Sequence, residues 1–139
     1  MTNNNAGPKT ERDLRPAGTR LSLESTVLDG VTVLRIGGEI DVLTAPHLGA
    51  ALDAALAADA ANHGVAVDLQ AVTFLASAGL SVLAAQVRQD PRESRIAVVA
   101  DNSATLRPMQ LTGLIDLLIV RPTLAEACAQ LRANRNESA

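Results

Sequence analysis

Val65-Ala66-Val67-Asp68-Leu69 is almost wholly apolar and too short to be read as a helix. A run of this kind suits a strand with both faces covered, as in a parallel sheet flanked by helices. Arg95-Ile96-Ala97-Val98-Val99 repeats the pattern. Two such strands oblige the chain to supply helices, and the intervening stretches do so. Thr44-Ala45-Pro46 offers a cap with Pro in the first turn. Leu48, Leu52, Ala55 and Leu56 then recur at helical spacing toward Ala61, before Asn62-His63-Gly64. A second helix opens near Ser77 with Leu80, Leu83, Ala84 and Val87 on one face. A third is capped by Ser103, carries Leu106 and Met109, and stops at Thr112-Gly113. Thr123 caps a last helix whose inner face holds Leu124, Cys128 and Leu131.

The remaining strands frame these units. Leu21 to Val27 alternates apolar and polar residues, Asp29-Gly30 signals a hairpin turn, and Val31 to Ile36 forms the return strand, ending at Gly37-Gly38. Leu117 to Val120 is a short final strand. The order β-β-α-β-α-β-α-β-α predicts a single α/β domain whose mixed sheet, opened by a hairpin, packs against about four helices. We place that domain at residues 20–133. Residues 1–19, rich in Asn, Pro, Gly and charge, read as a flexible tail, and 134–139 as a C-terminal tail.

Composition narrows the function. With 139 residues, there is room for one domain, and 47% hydrophobic residues fit a folded core needing neither disulfide nor metal. Phe74 is the only aromatic residue, so bases have no stacking platform, and a net charge of −3 supplies no field for nucleic acid or anionic lipid. Phe74 reads most simply as a core anchor. The arginines at 12, 15 and 20 and at 88, 92 and 95 are diluted by acids and read as solvated surface charge. The lone Cys128 reads as an inert core thiol, and excludes an intrachain disulfide. His47 and His63 stand near opposite ends of one helix, too far apart to share a metal, and read as surface residues. No apolar run approaches the roughly 20 residues that span a bilayer. The polar N-terminus lacks the apolar stretch of a signal peptide. A cytoplasmic protein is the expectation.

The stretch from Val67 to Leu83 carries the chemistry. It combines a buried strand, a short connection, and then Ser77-Ala78-Gly79 opening an amphipathic helix. Ser77 thus falls where a helix has unpaired amides and partial positive charge. The small neighbours Ala76, Ala78 and Gly79 predict a low, accessible surface. The bland alternative for Ser77 is an ordinary N-cap.

Asp68-Leu69, Phe74-Leu75, Ser77, Gly79 and Leu80 resemble the signature of the STAS family, in its anti-anti-sigma branch. Gly38-Glu39-Ile40-Asp41 is similar to the family's loop before the first helix, and Met109 to Leu114 to its late Gly-Leu turn. The resemblance covers about residues 21–131. It implies an anti-sigma factor antagonist, which binds an anti-sigma factor of the serine-kinase type and releases the sigma factor. Ser77 takes the place of the phosphorylated serine. Ala76 stands where the family has Asp, and Ala78 where it has a second Ser. Asp41 and Thr44, with Ala76, Ser77, Ala78 and Gly79, are the implied partner-binding residues; Thr44 also reads as a cap, and Gly79 as easing packing in the first turn. A phosphatase reverses the switch, no cofactor is required, and a monomer or weak dimer is expected.

Two rivals remain open. Catalysis would need a nucleophile–base set, an HExxH, a P-loop or a GxGxxG, and none is present. A STAS scaffold or ligand-sensing module of a stress-signalling complex, without phospho-switching, would form a very large particle or bind a small molecule.

Overall fold

The computed structural model describes Arg12–Asp13 and residues 20–89 and 95–138. Six strands form one sheet in chain order: β1 (Arg12–Asp13), β2 (Leu21–Leu28), β3 (Val31–Ile40), β4 (Val65–Leu75), β5 (Ile96–Val99) and β6 (Ile119–Arg121). The helices are α1 (Ala45–Ala58), α2 (Ser77–Gln89), α3 (Ser103–Thr112) and α4 (Leu124–Ser138), with a 3-10 turn at Leu114–Asp116. The first three strands pair antiparallel and the last four parallel, so the sheet is mixed, as expected.

Strand order explains where the helices sit. Each parallel strand from β3 to β6 is added on the same side of its predecessor, and right-handed crossovers then place α1, α2 and α3 on one face. Val65, Val67 and Leu69 of β4, with Leu34 and Ile36 of β3 and Val98 of β5, meet Leu48, Leu52, Leu83 and Met109 there. α4 follows the last strand, is bound by no crossover, and folds over the opposite face. Ala127, Cys128 and Leu131 cover Val31, Val33, Ala66, Ala97 and Val99. Cys128 is therefore a core thiol, and burial pushes its pKa up.

The hairpin turn at Asp29-Gly30 has positive φ at both positions (51° and 86°), the geometry that matches strand twist. β3 does not stop at Gly37-Gly38 but continues to Ile40. Gly38 permits this. Its φ is +91°, and a Cβ there would lie 1.9 Å from the Arg20 carbonyl oxygen, so a side chain would separate β3 from β2.

Several boundaries differ from the sequence reading. Arg12–Asp13, inside the expected flexible tail, pairs with Glu24 and Ser25 of β2; the other residues of 1–19 lie outside the described residues. The expected tail at 134–139 is helical through Ser138, because α4 continues past Leu131. α1 ends at Ala58 rather than Ala61, since Asp59 leaves helical geometry and its carboxylate accepts from the amides of His63 (2.9 Å) and Gly64 (2.8 Å). Arg95 Nη2 donates to Asp59 Oδ2 (3.0 Å) and to the Leu56 carbonyl (3.1 Å). It is thus a clamp on the end of α1 and not solvated surface charge. Asn102, not Ser103, holds the N-cap position of α3, and Ser103 is the first helical residue. Gly113 takes the left-handed C-cap (φ 78°), as expected. At α4, Thr123 Oγ1 accepts from the Glu126 amide (3.2 Å), the expected cap.

Candidate docking and phosphoacceptor site

β4 runs 11 residues rather than five, and its register with β3 shifts twice. Arg35 pairs with Asp68 and Gly37 with Ala71; Gly38 pairs with Val72 and Glu39 with Phe74. Each step gives β4 one residue more than β3, a bulge that resets the alternation of faces. Leu69, Val72 and Leu75, three apart, consequently all enter the helix-covered core. Phe74 is displaced from it. It is 51% exposed, which corrects its reading as a core anchor. The interval of three between apolar residues is the available signal, and a period-two reading overlooks it.

The second bulge delivers the chain to Ala76. The Ala76 amide donates to the Ile40 carbonyl (2.8 Å), tying the end of β4 to the end of β3. The Ala76 carbonyl then accepts from Gly79 (3.0 Å) and Leu80 (3.2 Å), so Ala76 is the boundary residue and Ser77 the first residue of α2. Ser77 is exposed and, among the described residues, its hydroxyl has no hydrogen-bond partner. It does not act as an N-cap. α2 has no acid in its first turn and Arg88 in its last, so its N-terminal field is uncancelled.

Ala76 and Ala78 are half-buried beside Ser77, but Gly79 is buried, which fits its reading as easing packing in the first turn and not as a contact residue. A Cβ on Gly79 would lie 2.5 Å from Ile40 Cγ2 and 2.8 Å from Leu75 Cδ1. Its role is close approach of α2 to the ends of β3 and β4.

Asp41 and Thr44 form the turn between β3 and α1. Asp41 Oδ1 accepts from the amides of Leu43 (2.9 Å) and Thr44 (3.0 Å). Thr44 Oγ1 accepts from the Asp41 amide (2.8 Å) and donates to the Glu39 carbonyl (2.8 Å). Thr44 holds the N-cap position of α1 with Pro in the first turn, as expected, but its side chain makes no cap hydrogen bond, and its burial corrects the expectation of a surface contact. Its hydroxyl is consumed inside the turn. Asp41 is partly exposed, and its carboxyl is held below the ordinary 3.8 chiefly by the Thr44 amide. The turn displays Val42 and Leu43, which are 73% and 78% exposed. Sequence reading does not single them out, although two adjacent large apolar residues between Asp41 and Thr44 are the visible signal. Among the described residues no His, Cys, Asp or Glu cluster could hold a metal ion, and no helix is long and apolar enough to cross a membrane.

A sheet built this way, with a helix opening on an exposed serine beside the β3–α1 turn, defines a class of domain, and residues 22–127 match the STAS domain model. The chain belongs to the STAS domain family. It is 42% identical over 118 residues to the anti-sigma-F factor antagonist RsfB of Mycobacterium tuberculosis, covering 82% of this chain and 93% of that protein. It is 31% identical over 103 residues to the anti-sigma-B factor antagonist of Staphylococcus aureus, covering 72% and 92%. A crystal structure of an anti-sigma factor antagonist from Mycobacterium paratuberculosis superposes with a TM-score of 0.73 at 39% identity, over 81% of this chain and 94% of that one.

Proposed function

We propose that this chain is an anti-sigma factor antagonist whose docking surface is built around the start of α2 and is switched by phosphorylation of Ser77. The observation that carries the switch is the free, exposed hydroxyl of Ser77 at the first position of a helix with no acid in its first turn. Names of the relatives support the partner class, an anti-sigma factor; in our reading it is of the serine-kinase type, with a phosphatase to reverse the modification. The chain contributes a surface and an acceptor oxygen; nucleotide and magnesium belong to the kinase. It works in the cytoplasm as a binding protein rather than an enzyme.

The physics of the switch is one-sided. A phosphoserine carries about −1.5 to −2 charges at neutral pH. The unpaired amides and dipole of α2 tolerate that charge, so the fold survives modification. A docked partner must bury it instead. Covering an uncompensated anion costs several kcal/mol, and about 2.7 kcal/mol already weakens binding a hundredfold. Ala76 removes a carboxylate that would otherwise repel the incoming phosphoryl group. It also removes a group that could orient the hydroxyl, so transfer depends on the kinase's own base.

The test incubates the protein with candidate anti-sigma kinases and Mg-ATP, and follows intact mass and complex formation. Wild type gains one phosphate and leaves the complex. Ser77→Ala binds and gains none. A phosphate on the Ser77→Ala variant would put the acceptor elsewhere, and a phosphorylated wild type that still binds tightly would remove the switch.

A further inference from the structure

We infer that Val42 and Leu43 form an apolar anchor that inserts into a cleft on the anti-sigma partner, and that the partner sets a cation beside that cleft, against Asp41. The inference rests on the docking reading above and divides the labour within it: the anchor supplies affinity, while Ser77 supplies only control.

Exposed apolar residues are unremarkable singly. Here Leu43 is the most exposed large apolar side chain among the described residues, and Val42 is its immediate neighbour. The remaining members of that group stand elsewhere: Val27 and Leu28 at the β2–β3 hairpin, Leu111 and Leu117 around the C-terminal end of α3. Only the Val42-Leu43 pair and Phe74 stand at the end of β3 and β4 from which Ser77 emerges. A floppy turn could fold such residues inward. This one cannot, because the Leu43 and Thr44 amides are held by Asp41 Oδ1 and the Thr44 hydroxyl is tied to the Asp41 amide and the Glu39 carbonyl. The turn is therefore preorganised with both side chains outward, which lowers the ordering cost of inserting them into a partner.

Charge fixes the chemistry of the occupant. Among the described residues Asp41 Oδ2 has no partner, whereas Glu39 Oε2 is already paired with Arg20 at 3.1 Å. Asp41 is also held ionised, chiefly by the Thr44 amide and least by the charge of Arg20, which is itself paired with Glu39. A carboxylate with one oxygen outside the turn's hydrogen bonds, next to two outward apolar side chains, complements an apolar cleft with a Lys or Arg at its lip. That cation is committed to Asp41, so a phosphate on Ser77 enters the interface without one of its own.

The test titrates the anti-sigma factor, by calorimetry, with wild type, Val42→Ser/Leu43→Ser, Val42→Thr/Leu43→Gln, Asp41→Asn and, as a distant control, Leu111→Ser. Thermal unfolding of each variant is measured alongside, and either anchor variant that keeps the wild-type midpoint suffices. The anchor variants lose about 30-fold or more in affinity, while Leu111→Ser stays within a few-fold of wild type. Asp41→Asn keeps an amide oxygen for the turn, loses several-fold, and flattens the salt dependence. Anchor variants that bind like wild type overturn the anchor but leave the docking reading intact. An anchor effect without an Asp41 effect overturns the cation. Wild type that binds no anti-sigma factor overturns both the anchor and the docking reading.

Discussion

Gly79→Ala is the most searching perturbation of the site, because helix propensity and packing pull in opposite directions. In an unpacked helix the change would stabilise by up to about 1 kcal/mol. Here the new methyl would sit 2.5 Å from Ile40 Cγ2 and 2.8 Å from Leu75 Cδ1. Carbon atoms pack comfortably at about 3.5–4.0 Å, so roughly 1 Å must be found. Leu75 Cδ1 ends a side chain that can turn aside. Ile40 Cγ2 is a methyl on the β-carbon of a fully buried residue and cannot, so α2 itself must lift. Overpacking of this kind costs about 1–3 kcal/mol, leaving a net loss of up to about 2 kcal/mol once the full propensity gain is set against it. For a chain of this length the unfolding entropy is about 0.3 kcal/mol/K, and the midpoint should fall by up to about 7 °C. Far-UV circular dichroism is the assay, since the sequence has no Trp or Tyr to report by fluorescence. Ile40→Leu removes the offending branch, so the double variant should recover about 1 kcal/mol relative to additivity. A Gly79→Ala variant more stable than wild type, or strictly additive changes in the double variant, would refute the close approach.

Three further outcomes are expected. Phe74→Ser should leave urea stability within about 0.5 kcal/mol of wild type, against the 3–5 kcal/mol that a core Phe would cost on truncation; a large loss would show the ring to be buried after all. Asp59→Ala strands the Arg95 guanidinium and the amides of His63 and Gly64, and should destabilise by about 2–4 kcal/mol in urea titration, with an unchanged midpoint counting against the clamp. Asp41 has a folded pKa lowered below 3.8, so its contribution to stability is present above that value and is lost as pH falls through the folded one. The amide NMR shifts of Leu43 and Thr44 should accordingly titrate with a midpoint below 3.8, and a midpoint above it would mean that the turn bonds do not hold the carboxylate.

Periodicity and local turn chemistry make much of this fold legible in the sequence. Val65 to Leu69 and Ile96 to Val99 declare themselves as buried strands, Asp29-Gly30 as a hairpin turn, and Gly113 as a helix stop, because each depends on neighbouring residues alone. Ser77 is legible as a helix opening for the same reason. Misreadings arise where a long-range partner decides. Phe74 reads as core until two bulges against β3 turn it outward. Thr44 reads correctly as the cap position of α1 but also as a surface contact, until its hydroxyl is claimed by Glu39 and Asp41. Gly79 reads both as easing packing and as surface, and nothing local says that Ile40 lies over it. Arg95 reads as solvated because Asp59 is far away in the chain. The Val42-Leu43 display is hidden for a related reason: an apolar pair is read as core unless the turn that expels it is known.

The paired bulges in β4 act as phase adjusters. They consume two residues without lengthening the sheet, and so set the angle at which the chain leaves it. One residue removed between Val72 and Leu75 would swing the next turn half a revolution about the strand. Leu75 would face solvent, and the serine would face the floor of the domain. A relative with a shorter loop elsewhere can keep its serine on display, whereas a relative one residue short here must move the whole helix to do so.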